Sequence, residues 1–120
     1  MHTRILLVEN DEALADAVST LLRMEGVQVE VLHDGRGAVG TVSHSRPDVV
    51  VLDVSLGELD GIAVARALRD AWPELPIIFA TGNAESDNVR QIVRDSRTIV
   101  IEKPFTIEML INMIRAATLR

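Results

Sequence analysis

Cysteine and tyrosine are absent from this chain, and the aromatic rings number two Phe and one Trp. Without thiols there are no disulfides and no thiolate-bound metals, and the sequence suits a reducing compartment, with the cytoplasm as the expected location. So few rings leave no platform on which the bases of a single nucleic-acid strand could stack. Lysine is almost missing too: of twelve basic residues, one is Lys103 and the rest are Arg. A net charge of −6 leaves no basic stripe, which excludes direct nucleic-acid binding as an expectation. No apolar run approaches the roughly 18 residues that a membrane span needs, so no membrane insertion is expected. Nor is a signal peptide expected at Met1, because a strand pattern begins directly after Arg4.

What the 120 residues do contain is a regular alternation, consistent with one domain around a single buried core. Ile5-Leu-Leu-Val8 reads as a buried strand. Leu14, Val18, Leu21 and Leu22 then recur at helical spacing up to Gly26. Val27, Val29 and Val31 alternate with polar residues, which predicts a strand with one wet face at a sheet edge. A weaker helix over 36–43 leads to Pro47 and a third strand, and a helix over 62–72 is closed by Pro73. Residues 76–80 form the fourth strand, 83–95 the fourth helix and 98–101 the fifth strand. Ile107, Leu110, Ile111 and Ile114 line the last helix. Strict alternation predicts an α/β, flavodoxin-like, doubly wound sheet of five parallel strands in the order 2-1-3-4-5, with five helices.

The chain is organised around its third strand. Val49-Val-Val-Leu52 is an apolar run with three β-branched residues, and it ends on the carboxylate of Asp53. Open α/β sheets keep their ligands at the carboxyl ends of strands, although a capping or solvated carboxylate could also stand there. The neighbouring strand ends are equally polar: Glu9, Asn10 and Asp11 close the first strand, Thr81 the fourth and Lys103 the fifth. Carboxylates, a hydroxyl and an ammonium thus meet on one rim. Clustered carboxylates suit a hard divalent cation such as Mg²⁺, which keeps several waters and needs one or two protein oxygens. A carboxylate can itself attack a phosphoryl group to give an aspartyl phosphate. The metal and Lys103 would neutralise the phosphoryl oxygens, and Thr81 would donate a hydrogen bond. The bland alternative is a set of salt-bridged strand ends.

Four segments carry a resemblance that spans essentially the whole chain: L-L-V-E-N-D-E at 6–12, V-V-L-D-V-S-L-G-E-L-D-G at 50–61, F-A-T-G at 79–82 and E-K-P-F at 102–105. With their intervals they are similar to the response-regulator receiver domain of two-component signalling. The resemblance implies that Asp53 accepts a phosphoryl group from a phosphohistidine of a sensor histidine kinase or phosphotransfer protein. It makes Glu9 an acidic-pocket residue, with Asn10, Asp53 and the Ser55 backbone carbonyl completing the Mg²⁺ ligands. Thr81 becomes the switch hydroxyl and Lys103 the phosphate-pairing ammonium, and a cis peptide is implied before Pro104. Enzymatic activity would extend at most to self-phosphorylation from phosphodonors and autodephosphorylation. The resemblance implies a single receiver domain over residues 1–120 with no effector domain, either a stand-alone regulator or a piece of a larger protein, and output to a downstream protein through the surface of helix 4, strand 5 and helix 5.

Three positions depart from the family pattern. A second acid usually follows the position of Glu9, and here it is Asn10, which removes one negative charge from the pocket. Asp11 cannot simply take over, since a shift of one residue along a strand reverses the side-chain direction. The aromatic usual three residues before Lys103 is Val100, and a common Pro after the phosphoacceptor is Gly57. Asn10 sustains the alternative of a pseudo-receiver, an interaction module with weak or no phosphorylation. Other motifs are decoys. Gly35-Arg-Gly37-Ala-Val-Gly40 matches a dinucleotide fingerprint but follows an edge strand rather than opening the first strand–helix turn. The Asp53 strand resembles a haloacid-dehalogenase-like phosphatase motif, but Ser55 stands where a second Asp is required. His2, His33 and His44 read as scattered surface residues, and Arg90, Arg94 and Arg97 as a solvated face.

Overall fold

The computed structural model of the chain describes residues 3–53, 58–93 and 97–119. Strands and helices alternate: β1 (Arg4–Val8), α1 (Glu12–Met24), β2 (Gln28–Leu32), α2 (Ala38–Ser45) and β3 (Val49–Asp53) make the first half. α3 (Glu58–Ala71), β4 (Ile77–Thr81), α4 (Asp87–Ile92), β5 (Thr98–Glu102) and α5 (Ile107–Thr118) make the second. All strand pairs are parallel, and the order is β2-β1-β3-β4-β5, as the polar alternation of the second strand predicts. β2 is at the edge, with Val29 and Val31 half-buried and Gln28 and Glu30 exposed.

Side-chain alternation along the strands divides the core in two. Leu6, Val8, Val50, Leu52, Ile77 and Phe79 face α2, α3 and α4, meeting Ala38, Val42, Ile62, Ala65, Leu68 and Val89. Ile5, Leu7, Val49, Val51, Ile78, Ala80 and Ile101 face α1 and α5, meeting Ala15, Leu22, Leu110, Ile111 and Ile114. Both β3 and β4 are buried along all five residues, so their polar ends are held by apolar packing on both faces. Gly26 ends α1 with a φ of 86°, a left-handed conformation that costs glycine least.

Three sequence expectations are corrected. Leu14 and Leu21 do not face the core; they are 39% and 43% exposed, while Ala15, Ser19 and Leu22 are buried. The small residues Ala15 and Ser19 let α1 approach the sheet closely, which rotates the larger Leu pair outward. α3 begins at Glu58 rather than at residue 62. Asp60-Gly61, a turn signal by composition, lies within the helix, with Gly61 buried. α4 is only six residues long, because the segment from Asn83 forms a turn (Ser86 N–H donates to Asn83 O at 3.2 Å) before Ser86 caps the helix. The Ser86 hydroxyl accepts from Val89 N–H at 3.1 Å. The expected extension of α4 to residue 95 ends outside the described residues.

Candidate functional site

The rim at the carboxyl ends of the strands gathers the expected side chains. β1 and β3 pair as far as Val8 with Leu52, which brings Glu9 and Asp53 to adjacent strand ends, one residue further on. Both carboxylates are buried, Glu9 to 1% exposure and Asp53 to 4%. Buried carboxylates require compensation. Lys103 Nζ forms an ion pair with Asp53 Oδ1. The ammonium comes from the residue after β5, across the intervening β4, where Asp53 is in register with Ala80 and Ala80 with Ile101. Ala80 and Ile101 belong to the same core face, so the small methyl of Ala80 leaves room for the long Lys103 side chain to cross.

Backbone hydrogen bonds hold Lys103 there. Its N–H donates to Thr81 O at 2.9 Å, extending the β4–β5 ladder one step beyond Glu102. The peptide between Lys103 and Pro104 is cis, as the resemblance implies. Thr81 is buried to 3% exposure, and its Oγ1 accepts from Asn83 N–H at 3.0 Å, tying this hydroxyl to the loop that feeds α4. Val100 packs against the cluster containing Phe79 and Val89, so no aromatic ring stands between Thr81 and the α4–β5 surface at that position.

On the acidic side, Glu9 Oε2 accepts from Asp11 N–H at 3.0 Å. Asp11 itself caps α1, its Oδ1 accepting from Leu14 N–H at 3.1 Å. That role accounts for Asp11; Asn10, the residue after Glu9, has its side chain exposed. Ser55 and Gly57 lie outside the described residues. Among the described residues no three His, Cys, Asp or Glu side chains form a metal-binding group. Two buried carboxylates on adjacent strand ends, one neutralised by Lys103, still fit a cation that keeps most of its waters.

The decoys resolve into structure. Gly35 and Gly37 form a short 3-10 turn entering α2, and a Cβ on Gly35 would meet Val64 Cγ2 at 2.6 Å. The glycine serves close packing against α3. Asp34 caps this turn, and the Arg36 backbone N–H it accepts from lowers its carboxyl pKa below the usual value, with help from the Arg36 guanidinium. His44 is exposed on α2, and Arg90 pairs with Glu85 at the surface; His2 and Arg94 lie outside the described residues. His33 is more than a surface residue: its Nδ1 lies 3.0 Å from the main-chain oxygen of Glu9. No sequence motif marks that contact, because its partner is a backbone atom.

Comparison with known proteins bears on this arrangement. The family model of the response regulator receiver domain matches residues 5–115. The chain is 37% identical over 117 residues to the response regulator MprA of Mycolicibacterium vanbaalenii, covering 97% of this chain and 50% of that protein. MprA of Mycobacterium tuberculosis is 36% identical over the same length and with the same coverage. The chain therefore spans about half the length of the curated relatives it matches. Among solved structures, the chemotaxis protein CheY4 of Vibrio cholerae is 26% identical with a TM-score of 0.84, covering 98% of this chain and 99% of that one. NtrX of Brucella abortus is 30% identical with a TM-score of 0.84, covering 98% of this chain and 27% of that one.

Proposed function

The chain belongs to the response regulator receiver domain family, and from that premise we propose that it accepts a phosphoryl group on Asp53 from a sensor histidine kinase or a phosphotransfer protein. The observation that carries this reading is the buried Asp53–Lys103 pair at the end of β3. A carboxylate oxygen of Asp53 attacks phosphorus, the P–N bond to the donor imidazole breaks, and the imidazole nitrogen keeps the electron pair. Burial of Asp53 excludes bulk water from one side of the carboxylate. Lys103 is placed to pair with the phosphoryl oxygens as charge gathers on them, and the Thr81 hydroxyl is within the same rim to donate to one. Mg²⁺, when bound, would neutralise phosphoryl charge from a site made by the carboxylates of Glu9 and Asp53, the Asn10 amide oxygen and the Ser55 carbonyl.

Once Thr81 and Lys103 engage the phosphoryl group, the loop after Thr81 is drawn inward. The surface of α4, β5 and α5 then changes for a downstream protein target. Incubation with acetyl phosphate and Mg²⁺, followed by intact-mass measurement, tests the chemistry. One phosphoryl adduct is expected, absent from Asp53→Asn. No adduct at any Mg²⁺ concentration would leave an interaction module with the receiver fold.

A further inference from the structure

His33 follows the last residue of β2 and stands beside the acidic pocket. Glu9 N–H donates to Leu32 O at 2.8 Å, the final backbone bond tying β1 to β2. A continued ladder would next supply a β2 amide to the Glu9 carbonyl, as parallel strands bond alternately on either side of a residue. The chain instead turns away into the Gly35–Gly37 turn. The imidazole takes the place of that amide, with Nδ1 3.0 Å from Glu9 O. A carbonyl oxygen can only accept, so the proton of this hydrogen bond is on Nδ1.

We propose that His33 is a positioning residue of the pocket: its Nδ1–H fixes the peptide plane between Glu9 and Asn10, and so aims both side chains at the cation. The proposal rests on the reading of Glu9 and Asn10 as cation-facing residues. The peptide is planar, so anchoring its oxygen restricts ψ of Glu9 and φ of Asn10 together. Downstream, the Glu9 carboxylate holds Asp11 N–H and Asp11 caps α1, so the loop is tied at both ends with Asn10 between. The other ring nitrogen, Nε2, is 4.0 Å from Glu12 Oε1 in the first turn of α1, so the ring reaches both sides of the loop. Its side chain is 43% exposed and borders an open cavity of about 500 Å³ with Asp34, Asp60 and Val64. Truncation there removes the hydrogen bond without excavating the core.

The test compares wild type, His33→Ala and His33→Asn by NMR, with an Mg²⁺ titration and urea unfolding. Asn can place an amide N–H where Nδ1–H was. His33→Ala should shift the amide resonances of Asn10 and Asp11 before metal is added, and weaken Mg²⁺ binding about fivefold, the worth of one hydrogen bond. His33→Asn should return both to near wild type, and the unfolding midpoints should differ little. Imidazole nitrogen resonances should place the neutral ring's proton on Nδ1. Unmoved Asn10 and Asp11 amides in metal-free His33→Ala, or a proton on Nε2, would overturn the proposal. Equal Mg²⁺ affinity in wild type and His33→Ala would overturn it as well. A wild type that binds no Mg²⁺ would instead overturn the pocket reading, and with it the role of His33 toward a cation, even if the metal-free amide shifts appear.

Discussion

Lys103 and Asp53 form an ion pair across a strand that carries neither of them: Lys103 follows β5, Asp53 ends β3, and β4 runs between. The sheet sets the distance between them, and Ala80 on β4 keeps the crossing open. The contact thus joins the carboxylate that ends β3 to the far edge of the sheet, where α4, β5 and α5 meet.

The first prediction concerns the ammonium itself. Lys103→Met should slow adduct formation from acetyl phosphate by about a hundredfold, in line with loss of one preorganised charge. Lys103→Arg should recover little of this. A planar guanidinium carries the charge but does not present it at the point where a compact ammonium meets Asp53. An Arg variant with the wild-type rate would show that charge alone suffices.

The second concerns the pocket's missing acid. Asn10→Asp restores a carboxylate beside Glu9, and a charge-assisted contact of roughly 1–3 kcal/mol should tighten Mg²⁺ binding by something like tenfold. Calorimetric titration reads this directly. Equal affinities would mean that residue 10 does not face the cation.

The third concerns stability far from the site. Arg69 donates to the main-chain oxygens of Trp72, Pro73 and Leu75 at 3.2, 3.0 and 2.6 Å, and to Thr98 Oγ1 at 2.9 Å. It closes the α3–β4 turn and fastens it to β5. Arg69→Ala should lower urea stability by about 1–3 kcal/mol, since partly buried acceptors lose a charged donor. Arg69→Lys should regain only part, because a single ammonium cannot span four acceptors. A loss below about 0.5 kcal/mol would assign the holding of this turn to apolar packing instead.

These predictions also show where sequence was legible. The alternation of Val27, Val29 and Val31 identified the edge strand, and the polar residue at each strand end located the rim. Those signals are local and periodic. The orientation of α1 was not legible, because Leu14 and Leu21 look like core residues until Ala15 and Ser19 are seen to bring the helix close. The start of α4 was hidden for a similar reason: Asn83 and Ser86 form a turn and a cap, which composition alone does not separate from helix. His33 and Arg69 bond chiefly to backbone oxygens, and those acceptors become available only where a strand ends or a turn closes.

The fourth prediction concerns how the signal leaves. Val89 is the one buried side chain of α4, and Arg66 Nη2 reaches Gln91 Oε1 at 3.2 Å from α3. Few apolar contacts imply low local stability. With beryllofluoride as a phosphoryl mimic, amide hydrogen exchange should change most between Gly82 and Asp95, and Thr81→Ala should blunt the change. Exchange altered only around Glu9 and Asp53 would describe a site competent in chemistry but uncoupled from this surface.

The proposed chemistry stands or falls on which carboxylate takes the phosphoryl group. An aspartyl phosphate is an acyl phosphate, and borohydride reduces it to homoserine, marking the position in the chain. After acetyl phosphate and Mg²⁺ treatment, peptide mapping should find homoserine at position 53 and at no other carboxylate, with none formed when Mg²⁺ is chelated. Homoserine at Asp11 or at Asp60, or none at all from phosphorylated protein, would contradict the assignment of Asp53.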